Sequence, residues 1–209
     1  MPHEFIPDVS LYIVDDDEAA RQSMVDLFAT GCGYRVQAFA SGEEFLRRAN
    51  LKKPDCLLLD RRMDDGISGL QVHDAVVAQS SPIVVIFLSG HGDIPTSQEA
   101  RDKGAFAWMV KGMDTNKLKA KVAAAMTEAQ ARTLHQFKRS EVMARWRELS
   151  PRKMEAARLI RTGWANRLVA DEMKIGTRVA ERYRSDVFET LWVNNPTELD
   201  RLMRDYAID

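Results

Sequence analysis

Polar residues of three kinds close four apolar runs in the first half of this chain. Asp15, Asp16 and Asp17 follow "LYIV", Asp60 follows "CLLL", Ser89 follows "IVVIFL", and Lys111 follows "AFAWMV". Crowded carboxylates repel one another and raise each other's pKa. A chain that gathers them therefore implies a cation. A small set of hard oxygen ligands suits Mg²⁺, which keeps several waters and bridges carboxylate to phosphate. A hydroxyl and an ammonium facing the same ion provide for the other oxygens of a phosphoryl group. The chemistry these residue types share is phosphoryl transfer.

The elements that must position them can be read from the pattern. The runs "LYIV", "VQAF", "CLLL", "IVVIFL" and "AFAWMV" read as strands. Helix-like stretches lie between them, at Glu18 to Ala29, Gly42 to Ala49, Gly69 to Gln79 and Ile94 to Asp102. Strands alternating with helices predict strand–helix–strand units and a parallel sheet. The unbroken "IVVIFL" fits a central strand buried on both faces. Ligands of such sheets bind beyond the carboxyl ends of the strands, which is where all six residues fall.

Charge divides the chain further. Residues 1–110 hold ten Lys and Arg against seventeen Asp and Glu, residues 111–149 nine against four, and residues 150–209 eleven against ten. This predicts an acidic module, a basic connector and a nearly neutral last module. Cys32 and Cys56 match no metal-binding spacing and read as reduced structural thiols of a cytoplasmic protein. No signal pattern opens "MPHEFIPDVS", and no apolar run approaches the roughly 18 residues that suggest a membrane span.

Three motifs in order, "VDDDE", "LLLDRRMDDGISGL" and "FLSGHGDIPTSQEARDKGAFAWMVK", make the chain resemble a two-component response regulator. "SGHGDIP" is especially like the FixJ-type subgroup, with a LuxR-type helix-turn-helix output domain. The resemblance implies a flavodoxin-like receiver with a five-stranded parallel sheet of order 2-1-3-4-5 over residues 1–112. A helical connector follows over 113–149, its first part packing on the receiver, and then an all-α four-helix output domain over 150–209. It also implies roles. Asp60 would accept the phosphoryl group. Asp15, Asp16, Asp60 and the backbone carbonyl of Arg62 would hold Mg²⁺. Ser89 and Lys111 would contact the phosphate, and Trp108 stands at the position of a switch aromatic. The chain departs from the family where Gly112 follows Lys111 in place of Pro, and where Asp64 replaces Pro after "RM".

Met113 to Ser150 holds no Gly or Pro. Leu118, Val122, Ala125, Ala129, Leu134, Phe137, Val142, Trp146 and Leu149 recur there at helical spacing, either on one extended helix or on two with a break near Arg139. The stripe is longer than one small receiver can cover and motivates a homodimer. In the last module, helices are expected in "SPRKMEAARLIRTG", "ANRLVADEM", "TRVAERYRSDVFETLW" and "NPTELDRLMRDY". The resemblance makes the third of these the recognition helix, with Glu181, Arg182 and Ser185 toward base edges and Arg178 and Arg184 toward phosphates. Asp186 stands where the family carries a basic residue and is expected to repel a phosphate. The last module's eleven Lys and Arg are nearly balanced by ten Asp and Glu, so it offers little non-specific affinity for DNA.

The implied partners are a sensor histidine kinase and either DNA, bound weakly, or another transcription regulator, with no membrane. An aspartyl-nucleophile phosphatase would want a second Asp at position 62, where Arg62 stands, so an enzyme is not expected beyond loss of the phosphoryl group from its own aspartate.

Overall fold

The structure, a computed structural model, describes residues 8–64, 66–90, 98 and 100–208. The chain divides into two compact units, Met1–Leu134 and His135–Asp209.

Five parallel strands build the first unit: β1 (Leu11–Val14), β2 (Val36–Phe39), β3 (Cys56–Asp60), β4 (Val84–Ser89) and β5 (Ala107–Val110). Their order is β2-β1-β3-β4-β5, the flavodoxin-like arrangement. Every residue of β1, β3 and β4 is buried, because helices cover both faces of the sheet. The alternation of a strand sorts the side chains between two cores. Leu11, Ile13, Leu58 and Ile86 meet Phe28 and the start of the long helix on one face. Tyr12, Val14, Leu59 and Phe87 meet Phe45, Val72 and Val76 on the other. Asp60 and Ser89 are the last residues of their strands rather than the first residues beyond them, since pairing extends to Asp60 opposite Leu88 and Ser89 opposite Val110.

Helix α1 (Glu18–Val25) is capped by Asp17, whose carboxylate accepts from the N–H groups of Ala19 and Ala20. It runs on as a π-helical turn, Asp26–Thr30. Helix α2 (Gly42–Arg48) starts at Ser41, and α3 (Gly69–Ala78) starts at a capping box of Ser68 and Gln71. The stretch expected as a helix at Ile94 to Asp102 lies largely outside the described residues.

Helix α4 (Thr115–Glu148) is continuous over 34 residues, with no break at Arg139. Its apolar stripe is not one seam. Leu118, Val122, Ala125 and Ala129 belong to the core of the first unit. Val142, Trp146 and Leu149 belong to the core of the second, and Phe137 between them is exposed. Two cores thus account for a stripe that one receiver could not cover, which removes the reason it offered for a dimer.

Around the end of α4 the second unit packs α5 (Pro151–Ile160), α6 (Asn166–Met173), α7 (Thr177–Leu191) and α8 (Pro196–Asp205). Ser150 and Asn195 cap α5 and α8. Gly176 precedes α7 as its N-cap residue, with no side-chain cap. Among the described residues no helix is long and apolar enough to cross a membrane.

Candidate functional site

The carboxyl edge of the sheet gathers the acidic residues. Asp15 leaves β1 with 2% of its surface exposed, and Asp60 ends β3 with 5%. One carboxylate oxygen from each of Asp15, Asp16 and Asp60 lies within 4.8 Å of the others. Lys111, directly after β5, reaches across to two of them. Its ammonium donates to Asp15 Oδ2 at 2.8 Å and to Asp60 Oδ2 at 2.7 Å. Burial disfavours the charged Lys111, but its hydrogen bonds and charge contacts with Asp15 and Asp60 prevail and raise its pKa. Burial raises the pKa of Asp60, opposed by the Lys111 ammonium.

Glycines make this arrangement possible at two places. A Cβ on Gly69 would sit 2.1 Å from the carbonyl oxygen of Asp60, so only glycine lets α3 start beneath the end of β3. Gly112 has φ +80°. Proline is fixed near −65° and cannot take that conformation, so this loop is shaped for Gly112. Ser89 is buried at the end of β4, and its carbonyl accepts from the Lys111 N–H at 2.7 Å.

The segment after Asp60 wraps the cluster. The Arg62 N–H donates to Asp60 Oδ1 at 3.3 Å, and the Asp64 N–H donates to Asp16 Oδ2 at 2.7 Å. Arg21 on α1 donates to the carbonyl oxygens of Asp15 and Asp16 at 2.7 and 3.3 Å. Sequence reasoning missed Arg21 and the Asp64 amide. A basic residue one turn into the helix that follows an acidic run is a weak signal for the first, and a backbone donor leaves none. Trp108 lies on β5, its ring 5.1 Å from that of Phe87 and 6.0 Å from the Arg61 guanidinium.

Among the described residues the Lys111 ammonium bonds two of the three clustered carboxylates, so the donor set is oxygen-rich and carries excess negative charge. That fits a hard divalent cation such as Mg²⁺.

In the second unit, Arg178, Glu181, Arg182 and Ser185 are exposed on α7. Spacings of three and four place them along one side of the helix, while Ala180, Val187 and Leu191 are buried. Arg184 is set apart from them. It is half-buried, donates to Asn166 Oδ1 at 2.5 Å and to the carbonyl of Trp164, and burial lowers its pKa. These bonds tie α7 to the start of α6. Asp186 forms an ion pair with Lys153 at 2.8 Å. Lys153 thus offsets part of the charge that the sequence places there.

Residues 11–123 match the family described as the response regulator receiver domain. Over 95% of its length the chain is 32% identical to the tetrathionate response regulatory protein TtrR of Salmonella typhimurium, covering 93% of that protein. It is 30% identical to the transcriptional regulatory protein FixJ of Bradyrhizobium diazoefficiens, over 92% of this chain and 93% of that one. The structure of full-length FixJ from B. japonicum matches 96% of the chain, and is itself covered to 98%, with a TM-score of 0.56 at 29% identity. The response regulator StyR shares the fold, with a TM-score of 0.79 over 96% of this chain and 100% of that one, at 24% identity. The chain belongs to the response regulator family, in its FixJ-type subgroup. Receiver domains bind Mg²⁺ at an acidic pocket, and Asp15, Asp16 and Asp60 form a cluster of that kind.

Proposed function

We propose that this protein is a cytoplasmic transcription regulator switched by phosphorylation of Asp60. A sensor histidine kinase supplies the phosphoryl group. A carboxylate oxygen of Asp60 attacks phosphorus, an acyl phosphate bond forms, and the bond from phosphorus to the donor imidazole nitrogen breaks. Bound by Asp15, Asp16, Asp60 and the Arg62 carbonyl, Mg²⁺ would neutralise charge on the transferred oxygens. Lys111 favours the ionised form of Asp60 against its burial and then pairs with a phosphoryl oxygen. Ser89 donates to another, and Trp108 acts as the switch beside them. Slow hydrolysis of the acyl phosphate resets the protein.

The output unit, residues 150–209, is in this reading a LuxR-type helix-turn-helix domain. Helix α7 enters the major groove with Arg178, Glu181, Arg182 and Ser185. Arg184 contributes by holding α7 to α6. DNA binding is weak for the family, because the module is nearly neutral. Phosphorylation favours a homodimer through the β5 edge, where Phe106 and Val110 are 38% exposed.

The observation that carries the proposal is the double reach of Lys111 to Asp15 and Asp60. Treatment with Mg²⁺ and a small acyl phosphate should add the mass of one phosphoryl group to wild type and none to Asp60→Asn. Equal labelling of both would remove Asp60 from its role. Gel shifts with the phosphorylated protein test the output, and capture of another regulator without any DNA shift would replace DNA by a protein partner.

A further inference from the structure

Among the three clustered carboxylates, Asp15 and Asp60 share the Lys111 ammonium, whereas Asp16 is held differently. The donor that reaches its carboxylate, among the described residues, is the backbone N–H of Asp64 at 2.7 Å. That is a short, charge-assisted bond. It closes a series of main-chain attachments along the segment after β3. The Arg61 N–H donates to the Leu88 carbonyl at 2.9 Å, the Arg62 N–H to Asp60 Oδ1 at 3.3 Å, and the Asp64 N–H to Asp16 Oδ2. The loop is therefore anchored on both sides of the Arg62 carbonyl.

Position 64 is where the resembled family carries Pro. A proline has no N–H to give, so this bond exists because residue 64 is something else. The side chain of Asp64 takes no part in it.

We infer that the Asp64 amide is a positioning group of the Mg²⁺ site, orienting the Asp16 carboxylate and fixing the loop that presents the Arg62 carbonyl. The inference rests on the metal reading of the acidic cluster. With Oδ2 held by the amide, Asp16 keeps Oδ1 for the cation in a set orientation. Outer-shell partners that orient a ligand in this way change metal affinity by about 10–100-fold when removed.

The test is calorimetric titration of Mg²⁺ into full-length wild type, Asp64→Ala and Asp64→Pro. Both variants lose the carboxylate, but only the second loses the N–H. Asp64→Pro should bind Mg²⁺ about tenfold more weakly than Asp64→Ala, and Asp64→Ala should stay within about threefold of wild type, since an exposed charge is well screened. Equal affinities for the two variants, with wild type binding normally, would overturn the inference and leave the metal site intact. Absence of binding by wild type would instead remove the site itself, and the inference with it. A second measurement covers the case in which Asp64→Pro does not fold. In metal-free protein the Asp64 amide resonance should lie downfield, and Asp16→Ala should move it upfield and speed its hydrogen exchange at least about tenfold, the loss of one such bond. An unchanged amide would refute the role.

Discussion

Replacing Lys111 with Met leaves the acidic cluster without its close cation. The ligand oxygens of Asp15, Asp16 and Asp60 lie within 4.8 Å of one another. At an effective dielectric near 20, two unit charges at that distance repel by about 3 kcal/mol. Partial protonation relieves some of this, and the Lys111 side chain is 32% exposed, so solvent already screens its pairs. Removing one partner of a buried pair costs about 3–5 kcal/mol, and exposure reduces this to about 2 kcal/mol for Lys111→Met. Magnesium bound to the same oxygens supplies the missing positive charge. The loss should therefore be full in chelator and shrink by more than half in saturating Mg²⁺. Urea unfolding of the full chain under the two conditions measures it. A loss of equal size in chelator and in Mg²⁺ would show that the missing charge beside the carboxylates is not its cause, and the electrostatic account would fall.

Three further outcomes are expected. Arg178→Ala should reduce the salt slope of DNA binding by about 0.9, the value for one phosphate contact, whereas Arg184→Ala should leave the slope unchanged and destabilise the protein by about 1–2 kcal/mol through lost bonds to Asn166 and Trp164; comparing salt titrations with thermal unfolding separates them. His73 is buried and its pKa is lowered by that burial, so folding favours its neutral form. Its stability contribution is complete above the ordinary imidazole value of about 6.5 and is lost as pH falls below it. His73→Leu should flatten the fall in melting temperature between about pH 7 and 5.5, and an unaltered slope would assign the acid sensitivity to other groups.

The sheet was legible because strands buried on both faces read as unbroken apolar runs, and β1, β3 and β4 are of that kind. The acidic cluster was legible because strand carboxyl ends converge in a parallel sheet. Long-range geometry was not. Nothing local tells that Asp186 will meet Lys153, thirty-three positions earlier, or that Asn166 and the Trp164 carbonyl await Arg184. On α7 Arg184 lies one turn from Ala180 and from Phe188, at the margin between exposed and buried faces, where an arginine is free to turn either way. Helix α4 misled for a different reason. An apolar period marks a face that will be covered, but it does not say how many cores cover it.

Trp108 is the one tryptophan in residues 1–134, while Trp146, Trp164 and Trp192 all fall in residues 135–209. Its indole is flanked by Phe87 and the Arg61 guanidinium. Arg61 directly follows Asp60, so the ring is next to the chain segment that carries the acidic cluster. A nearby cation and local polarity both alter indole emission. Changing the three later tryptophans to phenylalanine would leave a protein whose whole tryptophan emission comes from this position. Events at the sheet edge would then be visible in real time, without an attached dye and without interference from the output unit.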